Sequence, residues 1–220
     1  MSTKIGIIAE GPIDHVLLPP LIARIAAEKA GFNWPVTSDD VAEVFPMRKR
    51  GHGGALETVR ALVKVLDSGD FDHACFVILL DRRTRAVQEK VHKLIRGKDR
   101  FMLGTAIEEI EAWWLGDRTN TLAWTGFQTG LPACRYAAAK YCAEKDAAPK
   151  NTLDELTRLA DRFDRYYGDG NLDHATEFAE DHWRDGARLE EIAAQCAEGF
   201  GQFQERMTNR LRQLKAAARD

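Results

Sequence analysis

At 220 residues, 45% hydrophobic and 30% charged, the chain has an ordinary globular composition with enough apolar material for a sizeable core. A formal net charge of −3 excludes a wholesale basic protein, so any contact with nucleic acid must come from a local basic patch. No apolar run approaches the roughly 18 residues of a membrane span, and Met1-Ser2-Thr3-Lys4 leads straight into an apolar stretch; a cytoplasmic protein away from membranes is expected.

Lys4–Ala9 reads as a buried strand that stops abruptly at Glu10-Gly11. A helix is expected over about 14–30, with Leu17, Leu18, Leu21, Ile22 and Ile25 on its apolar face, broken at Gly31-Phe32-Asn33-Trp34-Pro35. Val41, Val44 and Phe45 suggest a short second strand. Arg48-Lys49-Arg50-Gly51-His52-Gly53-Gly54 reads as a loop, and a helix follows over about 55–66. Residues 72–80 form the strongest strand signal, apolar on both faces as a central parallel strand should be, and Asp81-Arg82-Arg83 ends it. Val87, Val91, Leu94 and Ile95 mark a third helix, and 101–107 a fourth strand. Strands alternating with helices imply right-handed crossovers, a mainly parallel sheet flanked by helices, and the α/β class.

After Asp117 strand signals vanish, so the expected division is an α/β domain over 1–118 and a helical C-terminal region over 119–220. Thr152-Leu153-Asp154-Glu155 fits a capping box. Phe200, Phe203, Met207, Leu211 and Leu214 form a core stripe on the last helix. Trp113 and Trp114 point about 100° apart on a helix; Trp113 is expected in the core and Trp114 against the C-terminal helices. Cys75, Cys134, Cys142 and Cys196 are too dispersed for a zinc site.

The chemistry lies at strand ends. Glu10 ends the first strand, Asp81 the third, and Glu108, Glu109 and Glu111 follow the fourth. In a parallel sheet these ends share one edge, where open α/β sheets place their sites. Clustered carboxylates repel unless a proton or cation is shared, and an oxygen-rich cluster suits Mg²⁺ or Mn²⁺. Some of these acids also have a plainer explanation: Asp81 as a helix cap, Glu108 and Glu109 as helix-start acids, as Asp14 is too. Arg48, Lys49 and Arg50 follow the second strand on the same edge, before glycines that expose backbone N–H groups; that arrangement can hold a phosphate, and taken alone the run reads more plainly as a solvated loop. Arg82, Arg83 and Arg85 add positive charge beside Asp81.

Glu10-Gly11-Pro12-Ile13-Asp14 resembles the first motif of the TOPRIM superfamily, which includes topoisomerases, primases and OLD-family nucleases. Val77-Ile78-Leu79-Leu80-Asp81-Arg82-Arg83 stands where that superfamily has a strand ending in Asp-x-Asp, with Arg83 in place of the second Asp. Ile107–Asp117, Pro149-Lys150 and Gly199–Phe203 resemble later segments of a group of small bacterial TOPRIM-like, OLD-nuclease-like proteins of unknown function. The resemblance implies a TOPRIM-like fold, with Glu10 in proton transfer or metal binding and Asp81 in Mg²⁺ binding. A guanidinium cannot ligate a cation, so Glu111 is the candidate for the missing oxygen, with Asp117 behind it, and Arg83 joins Arg48, Lys49 and Arg50 as a phosphate contact.

The expected function is Mg²⁺- or Mn²⁺-dependent phosphodiester chemistry on nucleic acid, in defence against phage or mobile DNA. The alternative is a catalytically weakened TOPRIM-like protein that binds nucleic acid, or a protein partner encoded with it, without cutting. A third reading is an enzyme acting on small phosphorylated molecules.

Overall fold

A computed structural model describes residues 4–32, 42–45, 51–66, 73–81, 85–127, 135–138, 140–160, 167–168 and 171–217. Four parallel strands, β1 (Ile5–Ala9), β2 (Ala42–Val44), β3 (Cys75–Asp81) and β4 (Phe101–Ala106), form a sheet of order β2-β1-β3-β4. The two central strands are the two continuous apolar runs. Every residue of β1 is buried, and so is all of β3 up to Leu80. β4 alternates buried and half-buried positions, as an edge strand does. Ile7 sits opposite Val77, and Asp81 opposite Ala106.

Helices cover both faces. α1 (Pro12–Glu28) packs on one face, with Leu17, Leu18, Leu21 and Ile25 meeting Ile5, Ile7, Cys75 and Val77. α2 (Gly51–Leu66) and α3 (Arg85–Ile95) cover the other, where Val59 and Val91 meet Ile8, Phe76, Ile78 and Leu80. The period-two alternation of β1 and β3 thus feeds two separate cores. Burying each such side chain is worth about 1.5–3 kcal/mol. Gly6 leaves no room for a side chain, since a Cβ there would lie 2.4 Å from the Phe76 ring.

The C-terminal half is helical: α4 (Glu111–Gly116), α5 (Arg118–Thr125), α6 (Pro149–Leu159), α7 (Leu172–Phe178), α8 (Leu189–Gln195) and α9 (Gln202–Ala217). Two π-helical turns, Ala179–Trp183 and Ala197–Gly201, follow α7 and precede α9. Phe203, Met207 and Leu211 of α9 belong to the same core cluster as α1 and the sheet, so the helical region closes one face of the α/β layer.

Several local expectations are revised. α1 starts at Pro12, two residues earlier than its apolar pattern, because a proline at the first helical position loses no helical hydrogen bond. α2 starts at Gly51, so the expected Gly51–Gly54 loop is already helix. The capping box at Thr152 does not form. Pro149 starts α6 three residues sooner, and the Thr152 hydroxyl donates to Asp146 instead. Trp113 and Trp114 are both fully buried. Trp113 lies in the core and Trp114 against the C-terminal helices, as expected; Trp113 also meets the C-terminal segment, with ring centroids 5.2 Å from both Phe200 and Phe203. Trp114 stacks on Phe178 at 4.4 Å and packs beside Trp124 at 5.0 Å.

Candidate functional site

The site is built at the C-terminal edge of the sheet. β1 ends at Ala9, and Glu10 follows where the chain turns into α1. The Glu10 carbonyl accepts from the Gly51 N–H at 3.0 Å, fixing the start of α2 to this edge. Its carboxylate reaches across to β3, where Oε1 accepts from the Asp81 N–H at 3.3 Å. Asp81 is the last residue of β3, and its carbonyl accepts from Gln88 Nε2 of α3 at 2.7 Å.

Asp14 lies in the first turn of α1. Its Oδ2 accepts from the Gly11 N–H at 2.8 Å, the helix-start role expected of it, and the side chain is buried. His15 Nε2 donates to the Ala9 carbonyl at 3.2 Å, and burial pushes the imidazole below its usual pKa.

Beyond β4 the chain reverses through Glu108, whose φ of 66° is left-handed, an uncommon conformation for a non-glycine residue. Glu109 follows, and Glu111 opens α4 only 2% exposed. Glu111 Oε1 accepts from the Tyr167 hydroxyl at 2.9 Å. Lys150, in the first turn of α6, brings its ammonium to 3.5 Å from Glu109 Oε1 and 3.7 Å from Glu111 Oε1.

The acids feel one another. Burial raises the Asp81 carboxyl to about 7, with Glu10, Glu109 and Glu111 adding to the effect and Lys150 opposing it. Burial, then Glu111, hold Asp14 well above the usual carboxylate range; Asp81 and Glu10 add, while the Gly11 N–H opposes. Glu111 is also raised by burial, against Lys150 and its Tyr167 hydrogen bond. Burial works against the Lys150 ammonium, but Glu111, Glu109 and Asp81 outweigh it and raise its pKa. Acids that raise one another's proton affinity bind a proton or cation more readily than isolated ones.

These acids offer oxygen and not sulfur or imidazole, the donor chemistry of a hard cation. Among the described residues, no three His, Cys, Asp or Glu side chains are assembled closely enough to hold a metal ion as they stand. Glu10 and Asp81 adjoin, whereas Glu111 Oε1 already faces Tyr167 and Lys150. The donor set fits Mg²⁺ in chemistry, while Glu10 meets Asp81 through the Asp81 N–H and Glu111 is engaged by Tyr167 and Lys150.

Asp117, the weaker ligand candidate, is placed elsewhere. It is fully buried, caps α5, and accepts from Trp183 Nε1 at 2.9 Å and the Arg188 N–H at 3.1 Å. Those bonds make it a structural anchor. Arg48, Lys49, Arg50 and Arg83 lie outside the described residues. The residues that sequence reasoning did not assign to the site are Lys150 and Tyr167. They reach Glu111 from 39 and 56 positions away, and Pro149-Lys150 was their only signal.

No protein-family model matches the chain, and no curated protein or solved structure matches it either.

Proposed function

We propose that this chain is a TOPRIM-like protein that carries out metal-dependent phosphodiester hydrolysis on nucleic acid, with a role in defence against phage or mobile DNA. The observation that carries the reading is the meeting of Glu10 and Asp81 across adjacent parallel strands, where burial, and then Glu10, Glu109 and Glu111, raise Asp81 to about 7. Glu10 and Asp81 would hold a Mg²⁺ or Mn²⁺ ion, which supplies Lewis-acid polarisation of a phosphoryl oxygen and an activated water. Glu10, whose carboxylate lies against the end of β3, has the position of a proton acceptor. Lys150 offsets part of the negative charge and faces the same acids from α6.

A second reading, binding without cleavage, is favoured by that same lysine. A partly exposed ammonium near Glu109 and Glu111 offsets part of their charge without a metal.

Nicking of supercoiled plasmid with Mn²⁺ separates the two. The hydrolytic reading expects relaxation by the wild-type protein and a loss of at least about 100-fold in Glu10→Gln and Asp81→Asn, the scale on which general acid–base and charge-stabilising groups act. Salt-sensitive DNA binding with no metal-dependent relaxation would leave the binding reading in its place.

A further inference from the structure

The β4 edge of the sheet carries a second feature, remote from the acids in chemistry but joined to them by one strand. An open groove of about 660 Å³ runs along this edge. The end of α3 walls it on one face of the sheet and α9 walls it on the other; Phe101–Leu103 form its floor. Its rims carry His92, Arg96 and Lys98 on the α3 side and Arg206 and Arg210 on the α9 side, against one acid, Asp99. In a chain of net charge −3 this is a strong local excess of positive charge.

The backbone says what the groove does not take. The Arg100 carbonyl accepts from the Phe76 N–H, so Arg100, Met102 and Gly104 turn their polar groups toward β3. Phe101, Leu103 and Thr105 turn theirs outward. Arg206 Nη1 donates to the outward Leu103 carbonyl at 3.3 Å. A guanidinium on that carbonyl blunts the edge against an added strand, so an extended peptide is a poor occupant. Arg206 alone lies on that carbonyl, while His92, Arg96 and Lys98 lie on the opposite rim. Half-buried Phe101 and Leu103 give the floor an apolar surface between cations, the pairing that holds unstacked bases and their phosphates together.

We propose that this groove binds the phosphodiester backbone of single-stranded nucleic acid and leads it along β4 toward the acid cluster. β4 begins in the groove and ends at Ala106, the residue paired with Asp81. At about 3.3 Å per residue the strand bridges the two sites over roughly 17 Å. Walls on both faces of the sheet fit one strand rather than a duplex. The direction of travel rests on the nucleic-acid reading of the acid cluster; the binding itself does not.

The test is fluorescence anisotropy of a labelled oligothymidylate in EDTA, titrated over about 50–200 mM salt, where phosphate contacts dominate. Three chains are compared: wild type, Arg96→Glu/Lys98→Glu/Arg206→Glu, and a control with Arg60→Glu/Lys64→Glu/Lys140→Glu. Arg210 is left intact because it also hydrogen-bonds the buried Cys75 thiol. The groove variant is expected to bind at least about tenfold more weakly, and its log–log salt slope to fall by about 2, from three contacts at ~0.7 each for single strands. The control is expected to match wild type. The proposal is overturned if wild type does not bind, if the groove variant binds like wild type, if the control falls equally, or if polyglutamate competes as well as the oligonucleotide. Plasmid nicking is scored separately, so a protein that binds through the groove and never cuts leaves this inference standing while removing the hydrolytic one.

Discussion

Asp81 has a carboxyl that titrates near neutrality because burial, and then Glu10, Glu109 and Glu111, oppose its charge. Its folded pKa is above the unfolded value of about 3.9. The fold therefore gains from Asp81 below about pH 4 and loses that contribution as pH rises through about 7. The melting temperature should fall between pH 5 and pH 8 in wild type and fall less in Asp81→Asn; parallel curves in calorimetry would refute the assignment. Lys150 allows an independent check. It is the cation beside Glu109 and Glu111, so Lys150→Met removes positive charge from the cluster. Added Mg²⁺ should then raise the melting temperature of Lys150→Met by more than it raises that of wild type. An equal shift in both would mean that metal and lysine do not serve the same acids.

Between elements, α9 approaches the sheet closely at Gly104. A Cβ on Gly104 of β4 would stand 2.8 Å from the Phe203 ring and 3.2 Å from Leu79. Gly104→Ala should overpack this contact and destabilise the protein by about 1–3 kcal/mol, read as a lower urea midpoint. A midpoint equal to wild type would show that Phe203 can swing aside. The strands themselves were legible from the chain because β1 and β3 are short runs apolar on both faces and buried along their length, and Glu10 and Asp81 were legible because they end those runs. Helix starts were harder. Pro12, Gly51 and Pro149 each extend a helix past the point where its apolar pattern begins, so the signal comes from backbone chemistry and not from hydrophobicity. Tyr167 and Lys150 were not legible as site residues, since nothing local links them to Glu111. Asp117 looked like a ligand only because its partners, Trp183 and Arg188, lie more than 60 residues downstream.

Over the whole molecule, one core cluster runs from Ile5 of β1 to Leu211 of α9. A chain ending at residue 118 keeps all four strands but strips Trp113 of Phe200 and Phe203, and Trp114 of Trp124, Tyr167 and Phe178. Such a fragment should bind a hydrophobic dye and lack a cooperative melting transition, whereas a sharp transition would establish an autonomous α/β unit. The shared core also sets a timetable. On the ribosome, Asp81 completes the central strand pair, but Ala217 must appear before α9 can cover the same sheet. Those 136 positions, the difference between the two residue numbers, take about 7–27 s to synthesise at roughly 5–20 residues per second. During that interval a nearly all-apolar strand has one bare flank. Slower growth at reduced temperature, or a chaperone present in excess, should therefore increase the yield of native protein more than any change made to the finished fold.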